Sequence, residues 1–147
     1  MTIQKQFKYL LANRQDVKVA NAFFKQQSFK GRARKGEWLS QIYLDNQLIA
    51  LLRVTPIEEA LLLRNLCVHQ QHRNAGVGSD LLAQTCGRNQ QDIYTFPLSH
   101  LSAWYQRNGA TLIEPTQLPS SLLPYYESYC RGKTALRCAV FETSIPH

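Results

Sequence analysis

Leu66-Cys67-Val68-His69-Gln70-Gln71-His72-Arg73-Asn74-Ala75-Gly76-Val77-Gly78-Ser79-Asp80-Leu81-Leu82 reads as a strand end, a polar loop and a helix start in seventeen residues. The strand closes near Val68, Gly76 and Gly78 open the helix, and Val77, Leu81, Leu82 and Thr85 share one helical face. Such a junction receives anions. The N–H groups of the loop and first helical turn have no intrahelical acceptor, and the helix dipole adds roughly half a positive charge there. Glycine at 76 and 78 lets phosphate oxygens approach the main chain without meeting a Cβ, which suits a diphosphate. The dinucleotide fingerprint would need a third glycine where Leu81 stands, and the Gly-Lys-Ser/Thr of a P-loop is absent.

Outward from that junction the chain reads as alternating elements of one α/β unit spanning residues 1–147, without repeats or linkers. Residues 7–11 form a first strand. Asp16 caps a helix to about Gln27, with Val17, Ala20, Phe23 and Phe24 at helical spacing. Residues 30–36 are a glycine-broken basic loop. Strands at 38–44 and 48–54 flank Asp45-Asn46-Gln47 as a hairpin with a three-residue connection. Residues 61–68 make a central strand and 76–88 the helix after the junction. A strand at 93–96, a helix at 98–108 ended by Gly109, a strand from 110 to 113 and a last strand at 135–142 follow. Residues 115–133, with three prolines and three tyrosines, read as an ordered flap. The predicted order is β-α-β-β-β-α-β-α-β-β.

With 147 residues, 44% hydrophobic and 18% charged, the composition is that of one globular domain and excludes disordered and collagen-like chains. No apolar run approaches the roughly 20 residues that span a bilayer, and the N-terminus lacks the apolar core of a secretory signal. The expectation is a cytoplasmic protein without membrane contact. Cys67, Cys86, Cys130 and Cys138 have no metal-ligand spacing, so no metal site is expected and the thiols read as reduced and mostly buried. The net charge of +7 is uneven: residues 1–36 hold nine Lys/Arg against one Asp, the rest eight against nine acids. Clustered charge of this kind either steers an acidic partner or makes a solvated basic face.

The pattern Arg73-x-x-Gly76-x-Gly78 behind the strand end at Val68 resembles the acyl-coenzyme A motif of the GNAT acetyltransferase superfamily. Trp104-Tyr105-Gln106-Arg107-Asn108-Gly109 is similar to that family's later helix, and the element order matches its fold. The resemblance covers about a third of the chain. It implies an α/β (α+β) fold, a single GNAT-like domain with a mixed, mostly antiparallel sheet flanked by helices. The family commonly has Pro where Gln70 stands, Asn near Leu98 and an aromatic at Ala110; without that Asn, Ser99 or backbone groups must meet the pantetheine arm.

The function so implied is N-acetyl transfer from acetyl-CoA, the co-substrate, directly to a primary amine of a small molecule or peptide. Leu66, Cys67 and Val68 would pair through their main chain with the pantetheine arm, where a bulge releases backbone groups, and the Val68 N–H would polarise the thioester carbonyl. Arg73, Asn74, Ala75, Gly76, Val77, Gly78 and Ser79 would line the diphosphate. Tyr105 matches the tyrosine that protonates the departing thiolate, its alternative being a core tyrosine. No carboxylate stands on the cofactor strand or the next one, which leaves a relayed water, His69 or His100 as proton acceptor. Cys67 has no paired base and reads as a strand residue. Phe24, Phe29 and Arg32, with the basic segment, fall where the family builds its acceptor wall, and an acidic acceptor stands against a merely solvated loop. Tyr125, Tyr126 and Tyr129 suit an opposite wall, flap packing or a homodimer contact alike. Two other classes compete: a non-catalytic acyl-CoA sensor or assembly protein, and nucleic-acid binding through residues 1–36, ranked last because no helix-turn-helix, zinc finger or RNA-recognition signature is present.

Overall fold

The computed structural model describes residues 4–87, 89–132 and 135–143. Its strands form a seven-stranded mixed sheet in the order β1-β2-β3-β4-β5-β7-β6, and the chain divides into two compact units. One unit takes residues up to 55 and 64–85, the other 56–63 and those from 86 onward.

In the first unit, β1 (Lys5–Leu11) pairs antiparallel with β2 (Trp38–Leu44), and β2 with β3 (Gln47–Ile57). Helix α1 runs from Arg14 to Gln26, three residues further than Asp16 as cap would allow. Asn13 is the cap: its side chain accepts from Gln15 N and Asp16 N, while the Asp16 carboxylate returns to Asn13 N at 3.0 Å. This reciprocal box satisfies donors that would otherwise be orphaned, with an acid at the positive end of the dipole. Ala20, Phe23 and Phe24 of α1 are buried with Leu39 of β2, Leu51 of β3 and Cys67. The β2–β3 connection has two residues rather than three. Asp45 (φ 50°) and Asn46 (φ 65°) both sit in the left-handed region, the conformation that matches the twist of two-residue hairpins, and Gln47 already pairs with Leu44. A register shift at Ile42/Tyr43 leaves Ile49 as the extra residue of a bulge, and its carbonyl accepts the His69 N–H at 2.7 Å.

In the second unit, the first half of β4 (Ala60–Val68) runs parallel to β5 (Ile93–Thr95) over Leu61–Leu63. Strand β7 (Cys138–Phe141) lies antiparallel between β5 and β6 (Thr111–Ile113). The helix expected over 98–108 is a 3₁₀ turn, Ser99–Leu101, leading into α3 (Ser102–Arg107), with Gly109 at φ +103° beyond its end. The expected flap holds a helix, α4 (Leu123–Cys130), absent from the predicted order; Pro124 stands in its first turn, where a missing N–H costs no hydrogen bond. Leu122 before it is buried with Ile57, Ala60 and Leu62, and Tyr94 and Phe96 pack on that cluster. The last strand is shorter than 135–142, its outer residues reduced to a bridge between Leu98 and Leu136. Arg88 and Lys133, at the ends of the predicted helix and flap, lie outside the described residues.

Candidate functional site

The junction after β4 is built by short-range geometry. His69 closes the strand on Ile49, Gln70–His72 forms a 3₁₀ turn, and the His69 ring Nδ1 accepts from Gln71 N at 3.1 Å. Asn74 (φ 62°) and Gly76 (φ 79°) then both take left-handed backbone. A Cβ on Gly76 would meet nothing within 4 Å, so glycine is required there by conformation, and the turn is open above it. Helix α2 (Val77–Cys86) makes its bond from Asp80 N to Gly76 O at 3.0 Å, which leaves the N–H groups of Val77, Gly78 and Ser79 ahead of the first intrahelical acceptor. Val77, Leu81, Leu82 and Thr85 are buried, as the helical face predicted.

Arg73 does more than add charge to this turn. Its Nε donates to the Val68 carbonyl at 3.1 Å, so the guanidinium covers the last carbonyl of β4. Cys67 beside it is buried, and burial pushes its thiol up to about 11 while Arg73 pulls weakly the other way. At neutral pH the thiol stays protonated, which removes it as a nucleophile. The Gln71 N–H on Nδ1 of His69 occupies the lone pair that a proton acceptor there would offer, and His72 lies edge-on to the ring at 5.5 Å.

On the same unit, the basic loop is held by side chains from three places. Asn21 of α1 accepts from Ala33 N at 2.7 Å and donates to Ala33 O at 3.2 Å. Arg53 of β3 donates through Nη1 to Arg32 O at 2.5 Å, and Glu37 Oε1 accepts from Arg34 N at 2.6 Å. Arg53 and Glu37 are 6% and 4% exposed and form a buried ion pair at 3.0 Å. Thr55 Oγ1 donates to Glu37 Oε2 at 2.5 Å, and Arg53 Nε to Asn65 Oδ1 of β4 at 2.7 Å. Glu37 therefore spends its carboxylate on Arg53, Thr55 and Arg34.

Of the three acceptor-wall residues read from the sequence, Phe24 is 1% exposed and belongs to the core, where it stacks on half-buried Phe29 with centroids 5.3 Å apart. Arg32 is exposed. Sequence reading missed Asn21, Gln27, Glu37, Arg53 and Asn65. Gln27, buried at the end of α1, accepts the Gln70 N–H at 2.8 Å and so ties α1 to the junction. The available signal was Arg53, one charge inside an otherwise apolar strand, since a buried charge demands a partner.

In the second unit Tyr105 lies on α3, edge-on to Trp104 at 5.0 Å and tilted against Phe141 at 6.4 Å. Burial raises its hydroxyl above the ordinary tyrosine value of 10.0, so the phenol keeps its proton through neutral and mildly alkaline pH. His100 is exposed in the 3₁₀ turn before α3, and the Ser99 hydroxyl donates to Ala135 O at 3.3 Å. Tyr126 and Tyr129 of α4 pack edge-on to Phe96, with Tyr125 exposed. Among the described residues no group of His, Cys, Asp and Glu could hold a metal ion, and no helix is long and apolar enough to cross a membrane.

Strand order, the glycine turn and the helix behind it fit the GNAT fold, and residues 38–109 match the model of the acetyltransferase (GNAT) domain. The chain carries a GNAT acetyltransferase domain. Its fold is similar to that of N-acetylglutamate synthase from Neisseria gonorrhoeae, solved with coenzyme A and N-acetyl-glutamate, at 18% identity and a TM-score of 0.71 over 95% of this chain and 36% of that one. It is also similar to the ribosomal-protein-S18-alanine N-acetyltransferase of Escherichia coli, at 12% identity and a TM-score of 0.65 over 97% of both chains. A GNAT-family acetyltransferase of Staphylococcus aureus matches at 14% identity and a TM-score of 0.60 over 93% of this chain and 99% of that one. The sequence search of curated proteins finds no relative. At these identities the solved GNAT structures share the fold, and the chain spans about a third of the length of the synthase.

Proposed function

We propose that this GNAT domain is an N-acetyltransferase that moves the acetyl group of acetyl-CoA directly onto a primary amine. The observation that carries the reading is the turn after β4: left-handed Asn74 and Gly76, open space above Gly76, and three helical N–H groups ahead of the first α2 bond. Arg73, Asn74, Ala75, Gly76, Val77, Gly78 and Ser79 hold the diphosphate there through main-chain donors, and the main chain of Leu66, Cys67 and Val68 holds the pantetheine arm. The Val68 N–H donates to the thioester oxygen as negative charge develops on it. The amine nitrogen forms the new C–N bond, the C–S bond breaks, Tyr105 gives its proton to the departing sulfur, and the ammonium proton leaves through water. Tyr105 then recovers a proton from solvent. Burial keeps the phenol in its acid form at working pH, so the proton is there to give. Glu37 is no proton acceptor in this scheme, being held in its ion pair with Arg53.

Calorimetry with coenzyme A and thiol release from acetyl-CoA with a panel of amines test the reading. Expected are binding, turnover with at least one amine, and a fall in kcat of about 10²–10⁴ in Tyr105→Phe with KM for acetyl-CoA little changed. Tight binding without thiol release for any amine would instead identify an acyl-CoA sensor, and absence of binding would remove both.

A further inference from the structure

We propose that residues 30–35 form a preorganised anion-recognition segment, which restricts the acceptor to amines that also carry a carboxylate. The inference rests on the acetyl-transfer reading for the word acceptor, but the anion site itself stands on separate observations. Lys30, Arg32, Arg34 and Lys35 are all exposed, and among the described residues none of them is paired with a carboxylate. The acid nearest in sequence, Glu37, is fully engaged in the interior. A solvated charge run would leave its main chain to water. Here Arg32, Ala33 and Arg34 each have a main-chain group gripped by a side chain: Arg32 O by Arg53, both groups of Ala33 by Asn21, and Arg34 N by Glu37. Ala33 is buried between two exposed arginines, so the segment is anchored at its centre while the guanidinium groups stay at the surface. Like charges held together on a fixed backbone repel one another, and a bound anion relieves that repulsion without paying to order the loop.

The segment also lies beside the strand that leads to the thioester position. A Cβ on Gly31 would approach Asn65 Oδ1 of β4 to 3.1 Å, and Asn65 is itself bonded to Arg53. Helix α1 braces both loops, Asn21 holding Ala33 and Gln27 holding Gln70. An arginine fork matches a carboxylate in two parallel hydrogen bonds, which makes carboxylate against carboxamide the discriminating contrast.

Calorimetry on the chain, with and without coenzyme A, would compare L-glutamate with L-glutaminamide, and a C-terminally amidated aspartate-containing tetrapeptide with its amidated asparagine counterpart, so that each control keeps the amine and lacks every carboxylate; the two arms separate a free acid from a peptide. The expected result is about tenfold tighter binding of the acid in one arm at low salt, shrinking as ionic strength rises. Arg32→Ala with Arg34→Ala should abolish the preference while leaving affinity for coenzyme A within about twofold. Equal affinities in both arms, or a preference that survives the double substitution, overturns the proposal. So does salt-dependent binding of a random-sequence RNA or DNA duplex that the double substitution abolishes, which would assign the segment to nucleic acid. Measurement without coenzyme A separates this failure from that of the acetyl-transfer reading.

Discussion

The turn after β4 and the basic loop before β2 are both glycine-bearing, both cationic and both part of the same compact unit, yet they are held in opposite ways. From Asn74 onward the turn is shaped by its own residues, with left-handed backbone at Asn74 and Gly76 and the start of α2, while distant bonds from Ile49 and Gln27 reach only His69 and Gln70 ahead of it. The loop has no regular structure of its own and owes its path to Asn21 and Arg53 from elsewhere in the chain and to Glu37 just behind it. A local device survives changes at a distance, whereas a loop gripped from three places fails when one grip is lost.

The largest test of that difference is Glu37→Gln. It leaves the Arg53 guanidinium buried without its counter-charge, and breaking such a pair costs about 3–5 kcal/mol, measurable by urea denaturation. Amide exchange at Arg34 should accelerate while coenzyme A affinity per folded molecule is preserved; equal loss at both loops would break the contrast. Asn21→Ala removes both partners of Ala33 and should cost about 2 kcal/mol, again with loosened exchange at residues 32–34 and none at 73–79. Gly76→Ala inverts the pattern. With open space for the methyl group, only the left-handed φ is penalised, about 1–2 kcal/mol, and the effect should fall on coenzyme A affinity rather than on the basic loop. The smallest effect appears at high pH. Thiols that ionise near 9 when unfolded are held up to about 11 at Cys67 and Cys138 and about 12 at Cys86. The unfolded chain therefore binds fewer protons above pH 9, and stability falls as pH rises from there through 11. Cys67→Ala should make that decline shallower.

Elements with a sharp short-range signature were readable from the chain. Trp38–Leu44 emerges from its apolar character with the bounds the structure gives, and the buried face of α2 follows from helical spacing. Errors arose where two local signals competed. Asn13 and Asp16 are both good caps three residues apart, and the box uses the first as cap and the second as its reciprocal partner. Asp45-Asn46 closes the hairpin in two residues because both tolerate positive φ, which composition alone does not distinguish from a longer turn. Helix α4 is hidden in the sequence because three prolines at 115, 119 and 124 mask an eight-residue helix of weak amphipathic pattern.

By itself the sequence determined the α/β class, the order of most elements and the glycine-bearing turn after Val68, since each depends on interactions within a few residues. Only the tertiary structure decided that Phe24 is core, that Arg73 covers the Val68 carbonyl, and that Arg53 and Glu37 anchor the basic loop. The bond from Arg53 to Arg32 O alone joins residues twenty-one positions apart, and no local pattern encodes such a pairing. Burial of a charge announces that a partner exists; the packing of the sheet against α1 determines which one.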